Sequence, residues 1–481
     1  NFLAQTEVDN YDTARVLMGI HPNGFKWTLG KGESFQTPEM VMVYSEAGLN
    51  GMSQTFHKLY RTRLARGTWR DKVRPILINS WEAFYFDFDA PKLLGLADAA
   101  ADLGMELFVL DDGWFGKRDD STSSLGDWYP NEEKLKGTLK ELAEKINAKG
   151  LKFGLWIEPE MTNKDSDLYR AHPDWLLAEQ GKRICHSRTQ YVLDFSKKEV
   201  REYIGDMLEN LLAEVPVSYI KWDMNRSLAN VYSAALPAAR QGEVYHRYVL
   251  GVYELQRRLT EAYPDLLLEN CAGGGARFDC GMLYFSPQIW CSDNTDPIER
   301  LYIQWGFSQF FPAKAMCAHV TSWNKNTSVK FRTDVAMMCK MGFDISLKEM
   351  NDDEMKYCQE AVANYKRLKG TILDGDLYRL VSPYETNHSS VMYVDKAKSK
   401  SVLFAYDIHP RFGEKTFPVK LQGLDPNKKY KVQEINLMPG QKSTLVTDGG
   451  TFSGDFLMKI GMNVFSTAHA RSKVIELTEV H

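Results

Sequence analysis

Disulfide patterns, clustered positive charge and long apolar runs are all missing from this 481-residue sequence. Its seven cysteines are an odd number spread over the chain, which fits neither a disulfide framework nor a CxxC metal site. We therefore expect reduced thiols in a cytoplasmic protein. The net charge of −4, with both signs interspersed, argues against nucleic acid or an anionic membrane as a partner. No apolar run reaches the roughly eighteen residues that a membrane-spanning helix needs.

The chain divides into three regions. Residues 1–74 look like strands and loops, VMVYSEAG among them, and are too few for an independent domain of the usual size. They begin at Asn1 without a Met or a signal peptide, so we expect the remnant of a longer N-terminal β-domain and a linker. Residues 371–481 hold short segments separated by DP, PG and GG pairs, among them SVLFAYD, TFPVKL and MNVFS. This pattern predicts a C-terminal antiparallel β-sandwich.

Residues 75–370 alternate short apolar runs with amphipathic helical stretches, the pattern of βα units. Eight such units in about 270 residues match the size of a (β/α)8 barrel. An open doubly wound sheet is the alternative, but no Gly-rich turn follows the first run. The predicted fold class is therefore α/β, a (β/α)8 TIM barrel with a C-terminal antiparallel β-sandwich. The eight runs are PILINSWEAF, MELFVLDDGW, LKFGLWIEPE, QYVLDFS, YIKWDMN, LLLENCAGGG, IWCSDNTD and KAMCAHVT.

Carboxylates and tryptophans gather at the ends of these predicted strands, where a barrel places its catalytic groups. Carboxylates accept hydrogen bonds from hydroxyls, and indole faces stack on the apolar face of a sugar, so the set suits an uncharged, polyhydroxylated ligand. A phosphate ligand would need the Arg, Lys or Gly-rich amides that are scarce there. The residues are Trp81, Glu82, Asp111, Asp112, Trp156, Glu158, Glu160, Asp194, Lys221, Trp222, Asp223, Glu269, Asn270, Asp293 and Asp296.

Cleavage of a glycosidic bond needs two carboxyl groups, and Asp223 and Asp293 are the best pair. Lys221 lies two residues before Asp223 on the same strand, so both face the same side, and its ammonium would keep Asp223 ionised as a nucleophile. Asp293 follows the next strand but one, far enough around the mouth to face Asp223 as the acid/base. We expect Asp293 to have a raised pKa. A retaining enzyme would place the two carboxyls about 5–5.5 Å apart, an inverting one about 6.5–9.5 Å apart.

Structural roles compete with each of these assignments. A single Asp at a strand end is more often a helix cap or turn residue, which is the simpler account of Asp194 and Asp296 and applies equally to Glu158. Strand tryptophans are more often core than binding surface, and the cysteines fit inert core positions. NCAGGG fits a turn that needs positive φ angles. The coincidence of many such groups at one end of one barrel favours a functional site.

The motifs WEAFYFDF, LDDGWFG, LWIEPE, KWDMNR, ENCAGGGARFD and CSDNTD, in this order, resemble the α-galactosidases of glycoside hydrolase family 36. The resemblance covers roughly residues 20 to 480. It implies a retaining glycosidase with Asp223 as nucleophile and Asp293 as acid/base, acting on α-galactosides without a metal or cofactor. It also implies that Asp111 and Asp112 hold the 4- and 6-hydroxyls of galactose. The other substrate-binding residues that it implies are Trp81, Trp156, Arg188, Lys221, Asn225, Cys271, Gly273 and Trp290.

Members of that family carry a large N-terminal β-sandwich ahead of the barrel, whereas only about 75 residues precede the barrel here. In tetrameric members the sandwich lends pocket residues to a neighbouring subunit, so the resemblance leaves assembly into homo-oligomers and full substrate affinity open. Three other functions remain: an α-N-acetylgalactosaminidase, a galactosyl transferase of the raffinose-synthase kind, and a sugar-binding fragment without activity. Parallel assays on two aryl glycosides separate the first, and galactose binding without turnover identifies the last.

Overall fold

The computed structural model describes residues 2–185 and 187–480. Its strands are β1 (Phe2–Val8), β2 (Ala14–Ile20), β3 (Leu77–Asn79), β4 (Leu107–Leu110), β5 (Lys152–Ile157), β6 (Met161–Asn163), β7 (Gln190–Val192), β8 (Tyr219–Trp222), β9 (Leu267–Asn270), β10 (Gln288–Trp290), β11 (Met316–Thr321), β12 (Lys340–Asp344), β13 (Asp376–Val381), β14 (His388–Val394), β15 (Lys400–Asp407), β16 (Lys429–Ile435), β17 (Thr451–Ser453) and β18 (Arg471–Val480).

The α-helices are α1 (Gly48–Leu59), α2 (Trp81–Phe84), α3 (Ala90–Asp102), α4 (Glu132–Leu135), α5 (Leu139–Ala148), α6 (Asp167–Ala171), α7 (Lys198–Glu214), α8 (Val244–Ala262), α9 (Cys280–Phe285), α10 (Pro297–Phe307), α11 (Val329–Met337), α12 (Asp352–Asp374) and α13 (Gly454–Lys459). Short 3-10 segments cover Thr68–Arg70, Pro173–Trp175, Ala238–Glu243, Ala313–Ala315 and Leu347–Glu349, and a π-helical turn covers Tyr60–Leu64.

Local sequence signals set several helix starts. Asp89 accepts a hydrogen bond from the Lys92 amide at the N-terminus of α3, and a proline occupies the first turn. Thr138 and Glu141 form a reciprocal capping box at the start of α5. These caps satisfy amides that have no partner within the helix, and they therefore favour helix starts at these positions.

Eight parallel strands close into a barrel, in the order β3, β4, β5, β8, β9, β10, β11 and β12, with β12 pairing back onto β3. All eight run in the same direction, so their carboxyl ends form one mouth. Strands such as β4 are fully buried: Phe108 and Leu110 share one apolar core with the surrounding helices, while Leu107 and Val109 belong to a separate, smaller cluster. The predicted TIM barrel is confirmed.

The fourth predicted barrel strand is wrong. Residues 190–192 of the QYVLDFS run form β7, which pairs antiparallel with β6 beside the mouth. Between β5 and β7 the structure describes β6, the five-residue helix α6 and a 3-10 turn, instead of the long helix that usually forms the crossover to a parallel strand. The strand that completes the barrel is β12, with the sequence KMGFD. Its lysine and glycine interrupt the apolar pattern by which the other strands are predicted.

The N-terminal region also differs in detail from the prediction. Strands β1 and β2 form an isolated antiparallel hairpin with nearly every side chain exposed. The VMVY segment at 41–44 is not a strand, and the following residues form α1. The division of the chain at residues 74 and 370 stays a prediction.

The C-terminal region is antiparallel β, as predicted, with a six-stranded sheet in the order β13, β14, β15, β18, β16, β17. Its own core includes Leu403, Tyr430 and Ile475. The segments TFPVKL and MNVFS, each predicted as a strand, lie outside the six-stranded sheet. They are joined by a single antiparallel bridge between Val419 and Met462. Strand β18 is central to the sheet and was missed, because charged and apolar residues alternate in RSKVIELTEV.

All seven cysteines are free thiols, five of them buried. A cytoplasmic location stays a prediction. In the described part of the chain, no helix combines the length and the apolar character needed to cross a bilayer.

Candidate active site

Polar side chains occupy the carboxyl ends of the barrel strands, although the strands themselves are apolar. The residues at or just beyond these ends are largely buried, so several carboxyl groups are gathered at the mouth with little contact with solvent. Burial of several carboxyl groups is costly unless each is paired, hydrogen-bonded or protonated. The way in which each group is accommodated defines its chemistry.

Asp223 follows β8 and is only 6% exposed. Its Oδ2 accepts hydrogen bonds from the Trp156 indole Nε1 at 3.1 Å and from Asn225 Nδ2 at 2.8 Å. Its Oδ1 accepts the Met224 backbone N–H at 2.8 Å. Three donors around one carboxylate fix its orientation, as a nucleophile requires.

Asp293 follows β10 and accepts a hydrogen bond on Oδ1 from the Trp290 indole Nε1, at 2.9 Å. Burial, and then the negative charge of Asp223, raise the pKa of Asp293 above its ordinary value. This pKa is lowered by the charge of Lys221, the hydrogen bond from Trp290 and the charge of Arg188, but these effects do not cancel the increase. The pKa of Asp293 is therefore raised, as expected for a group that must deliver a proton.

Lys221 lies on β8, and its Nζ pairs with Asp111 Oδ2 at 3.1 Å. The ammonium thus forms its ion pair with the carboxylate at the end of β4, and its charge also interacts with that of Asp223. The predicted role of Lys221 toward Asp223 stays a prediction. Asn79 Nδ2 donates to the same Asp111 oxygen at 2.7 Å and to Asp344 Oδ2 at 3.0 Å. Although Lys221 is buried, its pKa is raised well above the ordinary value, chiefly by Asp111.

Asp112 is held by Arg118, whose Nε and Nη2 donate to its two carboxylate oxygens at 2.9 and 2.8 Å. This bidentate pair fixes the plane of the carboxylate. Burial raises the pKa of Asp112, and the guanidinium opposes that effect. Arg118 was not among the predicted residues, because it lies in the loop after β4, six residues beyond Asp112, and no sequence pattern links it to the strand end.

Glu158 is fully buried beside Asp223. Its Oε1 accepts the Asn225 backbone N–H at 2.5 Å, and its Oε2 lies 3.0 Å from Gln190 Nε2. Burial, and then the charge of Asp223, raise the pKa of Glu158 to about 8, so this carboxyl is protonated at neutral pH. The Gln190 Oε1 has no other partner among the described residues, and turning that amide over would let it accept the proton of Glu158.

Asp344, at the end of β12, is another buried carboxyl that the sequence did not reveal. Its Oδ1 accepts the Glu82 backbone N–H at 2.7 Å. Burial, and then the charges of Glu82 and Asp111, raise the pKa of Asp344 well above its ordinary value. Glu82 itself accepts two hydrogen bonds from Ser322, at 2.8 and 2.6 Å, and its pKa is raised by burial. Asp344 was missed because its strand was missed.

The remaining predicted binding residues surround this pocket. Arg188 is exposed, sits in a turn with φ of 53°, and its charge reaches Asp293. Burial, and then the charge of Asp223, raise the pKa of the Cys271 thiol well above its ordinary value. Gly273 has φ of 51° and open space where a Cβ would stand, in line with the turn predicted for NCAGGG. Trp81 is half-buried and packs edge-on against Tyr85 at 5.2 Å.

One of the predicted structural roles is visible in Asp296, and Glu160 has a structural role that was not predicted. Asp296 caps α10 by accepting the amides of Ile298 and Glu299. Glu160 binds Arg277 in a bidentate ion pair, at 3.0 and 2.9 Å, and accepts the Trp222 Nε1–H at 2.8 Å. Within residues 2–185 and 187–480, no group of three or more His, Cys, Asp or Glu is arranged to hold a metal ion. The chemistry that the arrangement can perform is acid/base and nucleophilic.

Comparison with known proteins gives two family matches. Residues 34–375 match the Melibiase family, and residues 388–477 match the glycosyl hydrolase family 36 C-terminal domain. The chain is 47% identical over 467 residues to α-galactosidase AgaA of Geobacillus stearothermophilus. It is 45% identical over 466 residues to α-galactosidase Mel36A of Lactobacillus acidophilus. Each alignment covers 96% of this chain but only 62% of the relative.

Solved structures give the same result. The crystal structure of the family 36 α-galactosidase AgaB from Geobacillus stearothermophilus superposes with a TM-score of 0.94 at 46% identity, covering all of this chain and 65% of that one. Variants of AgaA in complex with raffinose and with stachyose superpose with the same TM-score at 45% identity, covering all of this chain and 66% of each. The chain thus spans about two thirds of the solved chains.

Proposed function

Since this chain belongs to the Melibiase family, glycoside hydrolase family 36, we propose that it is a retaining α-galactosidase that releases terminal α-linked galactose from galacto-oligosaccharides. The relatives that it matches are α-galactosidases, and AgaA variants have been crystallised with raffinose and stachyose. Raffinose-type sugars are therefore the proposed substrates, and the activity is proposed for a chain that spans about two thirds of those proteins.

The observation that carries the proposal is the contrast between Asp223 and Asp293. One carboxylate is held by three donors, whereas the other is buried against that charge with a raised pKa. Double displacement needs this division: an ionised nucleophile attacks the anomeric carbon while a protonated acid releases the leaving oxygen. Asp293, then deprotonated, takes a proton from water, and the water oxygen displaces Asp223 from the galactosyl-enzyme.

The galactose selectivity is proposed to come from Asp111 and Asp112. Each is fixed by a cation, Lys221 and Arg118 respectively, so neither can turn away from a hydroxyl without breaking an ion pair. Two rigid carboxylates side by side can accept two neighbouring hydroxyls of a sugar in one geometry. An equatorial 4-hydroxyl, as in glucose, would be displaced from that position.

The test is hydrolysis of 4-nitrophenyl α-galactoside, with NMR identification of the anomer that forms first. We expect α-galactose, because two inversions at one carbon give retention. β-Galactose as the first product would contradict the retaining mechanism. The same assay with 4-nitrophenyl α-N-acetylgalactosaminide and α-glucoside tests the selectivity, and galactose binding without turnover of any substrate would reduce the chain to a binding fragment.

A further inference from the structure

A buried arginine stands behind the proposed acid/base. Arg300, on α10, is only 3% exposed. Its Nη2 donates to the carbonyl of Ser292, the residue before Asp293, at 2.9 Å, and its Nη1 lies 3.3 Å from the carbonyl of Cys317. Its guanidinium carbon lies 4.5 Å from the centre of the Trp290 ring. Two hydrogen bonds of this guanidinium thus go to backbone carbonyls, and it also interacts with the Cys291 thiol.

The Trp290 ring is confined by a second neighbour. The imidazole of His319 lies 4.4 Å from it, centre to centre, with the planes tilted by 42°. Burial, and then the charges of Lys340 and Lys221, lower the pKa of His319 well below its ordinary value, so its ring is neutral. The indole is therefore packed against a fixed cation and a neutral aromatic ring, and its Nε1–H is directed at Asp293 Oδ1.

The backbone of this segment is confined as well. A Cβ on Gly274 would come within 2.7 Å of the Asp293 amide nitrogen and 2.8 Å of the Ser292 Cα. A Cβ on Gly275 would collide with the Cys291 carbonyl oxygen. The glycine loop after β9 thus packs directly on residues 291–293 from one side, while Arg300 holds the Ser292 carbonyl and the Trp290 ring.

We propose that Arg300 is a positioning residue for the acid/base: by binding the Ser292 carbonyl and stacking on Trp290, it fixes the Asp293 carboxyl so that its proton is carried on Oδ2. The inference rests on the proposed function. Oδ1 accepts the Trp290 N–H and is less available for the proton. Proton transfer needs the acid within hydrogen-bond reach of the leaving oxygen, so a carboxyl that rotates delivers its proton less often.

Leaving-group dependence separates this role from a structural one. A 2,4-dinitrophenyl α-galactoside needs no proton to leave, whereas a phenyl α-galactoside does. We expect Arg300→Lys to lower kcat/KM for the phenyl substrate by about 10–100-fold, and for the dinitrophenyl substrate by less than about threefold. Trp290→Phe should also lower kcat/KM more for the phenyl substrate than for the dinitrophenyl substrate, in addition to any loss of binding that both substrates share. kcat/KM is the right measure, because it reports the step in which the leaving group departs.

The double variant R300K/W290F tests whether the two residues act together. If Arg300 acts largely through Trp290, the double variant should show little more leaving-group dependence than the single W290F variant. Trp290→Phe also removes a hydrogen bond that lowers the pKa of Asp293, so the alkaline limb of kcat/KM should move to higher pH. Trp290→Phe removes the indole N–H but keeps an aromatic ring. It therefore still tests the inference if R300K does not fold.

Arg379 provides a matched control. It is also buried, donates to the Ser308 carbonyl at 2.8 Å and lies 5.9 Å from the Trp305 ring, but it lies on β13, outside the mouth. Arg379→Lys should lower the unfolding temperature without any leaving-group dependence. If R300K and W290F lose activity equally on both substrates, as a structural defect would predict, the inference is wrong. If Asp293→Ala itself shows no leaving-group dependence, the proposed function fails instead.

Discussion

Asp223 and Asp293 carry the same carboxyl group at the ends of strands two apart in one barrel, yet their surroundings differ. Asp223 accepts three hydrogen bonds, from Trp156, Asn225 and the Met224 amide. Asp293 accepts one, from Trp290, and its pKa is raised by burial and by the charge of Asp223. The number of hydrogen-bond donors and the presence of a neighbouring charge therefore suit the two groups to different chemistry.

The difference also fixes how activity should depend on pH. Asp293 must hold a proton to act as an acid, and its pKa is raised. kcat/KM should therefore be sustained below that raised pKa and fall as the pH rises through it. The donors around Asp223 are neutral N–H groups that do not titrate, so they hold the nucleophile at every pH in this range.

The largest effect is expected for Asp223→Ala, which should lower kcat by about 10⁴-fold or more because no covalent intermediate can form. Azide should partly restore turnover of an activated aryl α-galactoside and give β-galactosyl azide, since it enters on the face left by the carboxylate. The product is identified by NMR. Unchanged circular dichroism and retained galactose binding are the controls, and near wild-type turnover would contradict the assignment.

Asp293→Ala should lower kcat/KM for a phenyl α-galactoside by about 10²–10⁴-fold but spare a dinitrophenyl substrate to within about tenfold. Here azide should give α-galactosyl azide, because it attacks the galactosyl-enzyme from the face that water uses. The alkaline limb assigned to Asp293 should disappear. A β-azide from this variant would reverse the two roles.

Trp156→Phe removes one of the three donors to Asp223 and leaves Asp293 untouched. A hydrogen bond to a charged group contributes about 1.5 kcal/mol, so kcat/KM should fall by about tenfold. The loss should be the same for phenyl and dinitrophenyl substrates, in contrast to changes around Asp293. A leaving-group dependence in this variant would show that the two sides are not independent.

The smallest change in activity is expected for Glu158→Gln, because the amide imitates the protonated acid. Its effect should appear in stability. Glu158 has a pKa of about 8 in the folded protein against a reference value of 4.5, so folding takes up a proton between these values and wild-type stability falls as the pH rises through that window. Gln cannot titrate.

The stability of E158Q relative to wild type should therefore improve between about pH 5 and pH 8, by on the order of a few kcal/mol. Urea unfolding at several pH values measures this difference. A constant difference across the range would show that Glu158 is ionised in the folded protein. Asp296→Asn, at a helix cap near the mouth, is the control. The difference between its free energy of unfolding and that of wild type should not change over this pH range.

Much of the site could be predicted from the sequence, because parallel strands in a barrel all end at one mouth. The motifs that end β4, β8 and β10 carry Asp111, Lys221, Asp223 and Asp293, and their side chains do reach that mouth. The prediction failed where a strand lacked the expected pattern. KMGFD does not have the apolar pattern of the other strands, so the sequence predicts neither β12 nor Asp344 at its end. The apolar run at β7 predicts a barrel strand, whereas β7 pairs with β6 outside the barrel.

The sequence by itself predicted a barrel of βα units, the antiparallel C-terminal region and the strand ends that carry the proposed carboxyl pair, because periodicity and strand ends are local properties of the chain. The tertiary structure alone decided the partners: Lys221 with Asp111, Arg118 with Asp112, and Arg300 behind Asp293. These choices depend on side-chain distances across strands and loops that lie far apart in the chain. The protonation of Glu158 likewise follows from burial beside another charge, which residue order alone does not specify.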